Sequence, residues 1–187
     1  MSEKAISRYV DRVLFSEEDI AQRVQELGRQ ITEDYKDGKA DLLLVCILKG
    51  ASVFLADLMK RIDLDVEIDF MSVSSYGAHT VSSGDVRILK DLDHHFMGKD
   101  ILIVEDIIDT GYTLTYLKKN LESRGARSVK VAAVLNKQSR RVTDIQGDYV
   151  GFEVPDEYVI GYGMDFNQKL RNLPYIGTLK PIYYKDK

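Results

Sequence analysis

Four apolar residues, Ile101-Leu102-Ile103-Val104, run directly into two carboxylates, Glu105-Asp106. Ile107-Ile108 and then Asp109-Thr110-Gly111-Tyr112-Thr113 follow. No other stretch limits the fold so tightly. A short, continuously apolar run reads as a strand buried on both faces, which is the habit of a parallel sheet covered by helices. A helix near 113–123, ending by Gly125, comes next. Open sheets of this kind bind ligands at the carboxyl ends of their strands, where the acids and the Asp-Thr-Gly turn fall. The turn opens a helix, so free N–H groups and the positive end of the helix dipole face outward. Two hydroxyls and a glycine that admits close backbone approach make that turn fit a phosphate. Glu105 and Asp106 repel phosphate and instead suit the hydroxyls of a polyol or a hydrated Mg²⁺. One phosphate beside one diol describes a ribose 5-phosphate. An isolated Asp-Thr-Gly is more simply an ordinary helix cap, but the strand before it and the helix after it reverse that preference.

The rest of the chain agrees with an α/β fold. Ser16 followed by Glu17, Glu18 and Asp19 marks a helix start. Ile20, Val24, Leu27 and Ile31 then recur at helical spacing, and Asp37-Gly38 is the stop. The run 42–48 is a second buried strand. Residues 51–61, with Val53, Phe54, Leu58 and Met59, read as a second helix. Val66, Ile68 and Phe70 alternate with Glu67, Asp69 and Met71 as a strand. Residues 74–85 are small and polar without period, which predicts a mobile loop. Val86 to Leu89 and Val129 to Leu135 are further strands. Alternating strands and helices predict a parallel sheet. The aromatic, Gly-rich tail from 148 predicts a small hood over the sheet edge. The expectation is one domain over 1–187, its core about 10–147 and its hood made from N-terminal residues and about 148–187.

Composition narrows the partners. A net charge of −4 over 187 residues argues against a nucleic-acid or anionic-membrane protein. No apolar run approaches the roughly 18 residues of a membrane span, and the first stretch of chain has no apolar signal segment. The lone cysteine, Cys46, excludes an intrachain disulfide and any cysteine-cluster metal site, and reads as a small buried residue in a reducing cytoplasm. His79 and the adjacent His94-His95 lack metal-ligand spacing.

The Ile101–Thr113 segment resembles the phosphoribosyl pyrophosphate motif of the type I phosphoribosyltransferases, and more narrowly their bacterial hypoxanthine–guanine branch. The likeness runs from Leu27-Gly28-Arg29-Gln30-Ile31 to Leu173-Pro174-Tyr175-Ile176-Gly177. It takes in Leu48-Lys49-Gly50, Ser75-Tyr76-Gly77, Val134-Leu135-Asn136-Lys137 and the run from Gly151-Phe152-Glu153 to Gly161-Tyr162-Gly163. The resemblance implies a type I phosphoribosyltransferase-like fold, with a central parallel sheet flanked by helices, a small hood and a flexible active-site loop. It also implies transfer of 5-phosphoribosyl from phosphoribosyl pyrophosphate to hypoxanthine and guanine, giving IMP or GMP and pyrophosphate with the help of Mg²⁺.

By the same resemblance, Thr110, Gly111, Tyr112 and Thr113 hold the 5′-phosphate, Tyr112 mostly through its backbone. Glu105 and Asp106 face the ribose and, with Asp165, place Mg²⁺. Asp109 takes the purine N7 proton, working by position in a site closed to water. Leu48, Lys49 and Gly50, joined by a cis Leu48–Lys49 peptide, and Arg171 contact pyrophosphate. Lys137 donates to the purine 6-oxygen, Tyr158 stacks on the ring with Ile107 on its other face, and the Val159 backbone reads the base edge. Ser75 and Tyr76 belong to the loop that closes over the reaction. A homodimer or homotetramer is implied. The alternatives are a xanthine- or guanine-preferring relative, a same-fold RNA-binding pyrimidine regulator, which needs a basic face that the charge balance does not suggest, and a phosphoribosyl pyrophosphate synthase, whose ATP loop has no match here.

Overall fold

The computed structural model describes residues 8–38, 40–75 and 86–184. A six-stranded sheet forms its centre, in the order β4-β3-β2-β5-β6-β7. The strands are β2 (Leu42–Leu48), β3 (Val66–Ser75), β4 (Val86–Lys90), β5 (Asp100–Ile108), β6 (Ser128–Asn136) and β7 (Tyr149–Glu153). All neighbours are parallel except β3 and β4. A second, antiparallel sheet of order β1-β9-β8 is made by β1 (Val10–Phe15), β8 (Val159–Ile160) and β9 (Ile176–Leu179). This is the hood, and it packs on its own small core of Ile160, Leu170, Leu173 and Leu179.

Helices cover both faces of the main sheet. Helix α1 (Glu17–Tyr35) and helix α2 (Ser52–Leu58) bury Ile20, Val24, Leu27, Phe54 and Leu58 against Leu44, Cys46, Leu102 and Val104. On the other face, helix α3 (Tyr112–Ser123) buries Leu114, Leu117 and Leu121 against Leu43, Val45, Ile101 and Ile103. Alternate residues of β2 and β5 thus meet different helices, which is why both strands read as unbroken apolar runs. Each such side chain contributes about 1.5–3 kcal/mol by leaving water.

Local signals explain the ends of elements. Ser16 caps α1 by accepting from the Asp19 amide, and the Asp19 carboxylate accepts from the Ser16 amide at 2.9 Å. This reciprocal box satisfies two donors that the first turn would otherwise leave free. Edge strand β7 is tied down by Arg23 of α1, whose Nε and Nη2 donate to the carbonyls of Gly151 and Val150.

Several boundaries differ from the sequence expectation. Residues 51–61 form α2 only to Leu58, and Met59–Arg61 tighten into a 3-10 turn. β3 runs on to Ser75, pairing there with Val86. β5 does not stop before the acids. It runs through Glu105 and Asp106 because Glu105, Ile107 and Ile108 still pair with Ala133, Leu135 and Asn136. The 149–153 segment, expected in the hood, is a strand of the main sheet. Its Gly151 lies so close to the Val134 carbonyl that a Cβ would overlap it. Conversely, residues 10–15, expected at the start of the core, pair with β9 in the hood. Tyr76 and His79, with most of the expected loop, lie outside the described residues.

Replacing Ser16 by Ala removes the capping box and is expected to cost about 1 kcal/mol. Urea unfolding checks this as a lower midpoint at constant slope, and an unmoved midpoint would show that the box adds nothing.

Candidate active site

The order β3-β2-β5 reverses the direction in which the sheet is built, so the carboxyl ends of β2 and β5 flank a topological switch point. Apart from Ser75, at the end of β3, and Tyr76, outside the described residues, the residues singled out from the sequence fall into three groups near these ends.

The first group is the turn into α3. Gly111 caps the helix with φ +89°, a left-handed conformation that glycine adopts without strain. Its α-carbon faces Thr143 and Ile145, which leave no room for a Cβ. Behind the turn, the Thr110 carbonyl accepts from the amides of Val142 at 3.0 Å and Thr143 at 3.3 Å. The Thr115 hydroxyl bonds that of Thr143 at 3.1 Å. In front lies a cavity of about 180 Å³, lined by Glu105, Ile107, Asp109, Thr110, Gly111 and Thr113. The first amides of α3 have no partner within the helix, so this cavity is suited to an anion. Asp109 borders it with a buried oxygen, Oδ1, that makes no hydrogen bond and lies 3.4 Å from Arg140 Nε.

The second group lies beyond the acids. Glu105 and Asp106 are neighbours on an extended strand, and they diverge: Glu105 borders the cavity, whereas Asp106 lies against Gly50. A Cβ on Gly50 would overlap the Asp106 carboxylate, and one on Gly163 would overlap the Gly50 carbonyl. The Leu48–Lys49 peptide is cis. The Lys49 carbonyl accepts from the Ser52 hydroxyl at 2.8 Å. Gln168 Oε1 accepts from Lys49 Nζ at 3.3 Å and from Arg171 at 3.4 Å, holding two cations near each other. Arg171 also donates to the Gly163 carbonyl at 2.7 Å and pairs with Asp165 at 2.7 Å. Lys49, Gly50, Asp165 and Arg171 are therefore brought together.

The third group joins the core to the hood. The Lys137 amide donates to the Ile108 carbonyl at 2.9 Å, and its buried Nζ donates to the Glu157 carbonyl at 2.9 Å. Lys137 thereby links the end of β5, next to Ile107, to the residue before Tyr158. Asp156 lies 3.7 Å from Nζ. Tyr158 is 39% exposed, with its ring edge-on to Phe166 and tilted against Tyr184. The Val159 side chain is buried, and its β8 backbone pairs with Thr178 of β9.

Burial, and then the adjacent Asp106 charge, push the Glu105 carboxyl well above its usual range. Burial also raises Asp106, with the Arg171 cation opposing it. Glu105 Oε2 is buried without a hydrogen-bond partner. Among the described residues no three metal-ligating side chains form a cage. The unpartnered Glu105 oxygen does fit Mg²⁺, which takes one or two carboxylates and fills its shell with waters and substrate oxygens.

A family profile described as Phosphoribosyl transferase domain matches residues 14–167. The chain belongs to the phosphoribosyltransferase family. It is 53% identical over 177 residues to the hypoxanthine-guanine phosphoribosyltransferase of Bacillus subtilis (strain 168), spanning 95% of this chain and 97% of that one. It is 51% identical over 179 residues to the enzyme of the same name from Streptococcus thermophilus (strain CNRZ 1066), spanning 96% of this chain and 98% of that one. A crystal structure of a hypoxanthine phosphoribosyltransferase from Staphylococcus aureus superposes with a TM-score of 0.93 at 47% identity, covering 98% of this chain and 99% of that chain. The mostly parallel sheet with helices on both faces is the type I architecture of this family.

Two residues were not legible as site members. Gln168 looks like any polar residue in a turn. Arg141, the second of an Arg-Arg pair, looks like surface charge, yet its guanidinium is held among backbone carbonyls behind the Asp109–Gly111 turn. Burial pulls it below its ordinary range.

Gly111→Ala forces a side chain into a left-handed backbone and is expected to cost about 1–2 kcal/mol or more in urea unfolding. Wild-type stability in that variant would contradict the close packing behind the turn.

Proposed function

We propose that this chain is a purine-salvage enzyme that transfers the 5-phosphoribosyl group from phosphoribosyl pyrophosphate to hypoxanthine and guanine, releasing pyrophosphate and forming IMP or GMP. The observation that carries the reading is the placement of Lys137. Its ammonium is desolvated, and one of its three donors is spent on the Glu157 carbonyl. A 6-oxopurine stacked on Tyr158 offers an oxygen to a remaining donor. Adenine offers an amino group, which cannot accept that bond, so the same lysine rejects adenine.

In the reaction the bond from the sugar C1′ to pyrophosphate breaks, a bond from C1′ to the purine nitrogen forms, and the purine loses a proton. The sugar carbon gains positive character on the way. The Thr110–Thr113 turn, with Gly111 and Tyr112 acting through their backbone, holds the 5′-phosphate. Glu105 and Asp106 orient the ribose hydroxyls. Asp109, with its unbonded Oδ1 at the cavity, receives the purine N7 proton. Lys49, Gly50 and Arg171 neutralise the departing pyrophosphate, the stabilisation of developing charge that dominates such reactions. Ile107 and Tyr158 clamp the base, and the Val159 backbone reads its edge. Glu105, Asp106 and Asp165 would hold Mg²⁺, which when bound adds further charge neutralisation to pyrophosphate. Ser75, at the end of β3, leads into the segment to which the resemblance assigns closure over the reaction, and Tyr76 of that segment lies outside the described residues. A cytoplasmic setting suits a chain whose only cysteine, Cys46, is a buried free thiol. A homodimer or homotetramer, and one domain over the whole chain, complete the reading.

A steady-state assay with phosphoribosyl pyrophosphate, Mg²⁺ and each of hypoxanthine, guanine, xanthine and adenine tests it. Hypoxanthine and guanine are expected to react, adenine is not, and excess chelator is expected to abolish turnover. A clear preference for xanthine would move the chain to the alternative branch, and no turnover of any purine would end the reading. Asp109→Asn is expected to lower kcat by about 10²–10⁴-fold with little change in KM for phosphoribosyl pyrophosphate. Unchanged kcat would remove Asp109 from proton transfer.

A further inference from the structure

The turn that reads as a phosphate cradle is held from behind by one side chain. Arg141 Nε donates to the Asp109 carbonyl at 2.9 Å, and Nη2 reaches the Ile108 carbonyl at 3.4 Å. The same guanidinium bonds the Ile145 carbonyl through Nη1 and the Asn136 side-chain oxygen through Nη2. The two residues after it continue the attachment, the Val142 and Thr143 amides both donating to the Thr110 carbonyl. Three consecutive carbonyls, those of Ile108, Asp109 and Thr110, are thus turned towards the 141–143 segment.

A trans peptide is planar, and its N–H points opposite to its C=O. Fixing the Asp109 carbonyl therefore fixes the direction of the Thr110 N–H, and fixing the Thr110 carbonyl fixes that of the Gly111 N–H. Both N–H groups point away from Arg141, and both residues line the 180 Å³ cavity. A cation bonded to the carbonyl end of a peptide also polarises its N–H end, which strengthens that group as a donor to an anion. Lysine cannot replace this arrangement, because one ammonium does not span four acceptors set around a planar fork.

We propose that Arg141 is the positioning residue of the cradle: it aims the Thr110 and Gly111 amides at the 5′-phosphate of substrate and product without touching either. The proposal rests on the reading of this turn as a 5′-phosphate site. It predicts that loss of Arg141 weakens binding of phosphorylated ligands and leaves their unphosphorylated counterparts alone.

The experiment is equilibrium titration of IMP and of inosine into the wild-type chain, Arg141→Lys and Arg141→Gln. The wild-type chain is expected to bind IMP far more tightly than inosine. If it does not, the phosphate-site reading fails, and the role of Arg141 falls with it. Given that preference, both variants are expected to weaken IMP at least about tenfold, the scale of losing charge-assisted hydrogen bonds, while the inosine affinity moves less than about twofold. Equal weakening of both ligands means a general structural role and overturns the proposal, as does an unchanged ratio. Should neither variant fold, hydrogen exchange on the unmodified chain decides. Slow exchange of the Val142 and Thr143 amides before any ligand is added supports a cradle preset from behind, and fast exchange there overturns it.

Discussion

Strand β5 is hydrogen-bonded on both sides, by β2 and β6, and helices cover both of its faces. A polar group in such a place is costly unless it finds a partner. The one charged side chain at its start, Asp100, is fully buried and meets Arg127 and the Ser128 hydroxyl. From Ile101 to Val104 the chain is therefore apolar. Carboxylates return only at Glu105 and Asp106, towards the carboxyl end of the strand. The same confinement delivers the chain to the turn at Asp109 in a single direction, so the start of α3 and Glu105 border the same cavity.

At the end of the sheet, glycines let the chain pack very closely. Gly163 lies against the Gly50 carbonyl, and Gly50 lies against the Asp106 carboxylate. A loop of the hood and the turn after β2 thereby meet backbone to backbone, and the turn meets the end of β5 through the Asp106 carboxylate. This closeness allows Arg171, carried by the hood segment, to act with Lys49, carried by the core. It has an electrostatic cost. Two adjacent carboxylates sit where burial makes their charge unfavourable, an arrangement that a cation and sugar hydroxyls would relieve. The surrounding core of packed aliphatic side chains offsets that cost and keeps the geometry fixed.

Much of this was legible in the chain alone. The apolar runs 42–48 and 101–104, the Ser16 cap and the stripe Ile20-Val24-Leu27-Ile31 all depend on local spacing and short-range hydrogen bonds, and each forms the expected element. The misassigned strands have one cause. The end of β5 and the assignment of β7 and β1 to their sheets depend on which distant strand offers a partner. Tyr149-Val150-Gly151-Phe152-Glu153 has no marked alternation, yet β6 takes it into the main sheet. Val10–Phe15 looks like a beginning of the core, yet β9 takes it into the hood.

The linear order of residues determined the kind of protein: a parallel sheet between helices, a phosphate-suited turn after a pair of acids, and a chain without disulfides. These follow from hydrophobic period, turn chemistry and residue type, which act over a few neighbours. Only the tertiary structure decided that Glu105 and Asp106 diverge, that Gln168 joins two cations and that Arg141 stands behind the cradle. Those arrangements are made by contacts between residues far apart along the chain, such as Asp109 with Arg141 and Lys49 with Gln168. A guanidinium that grips backbone carbonyls leaves no mark in the sequence, because every residue has a carbonyl and only the fold brings particular ones within its reach.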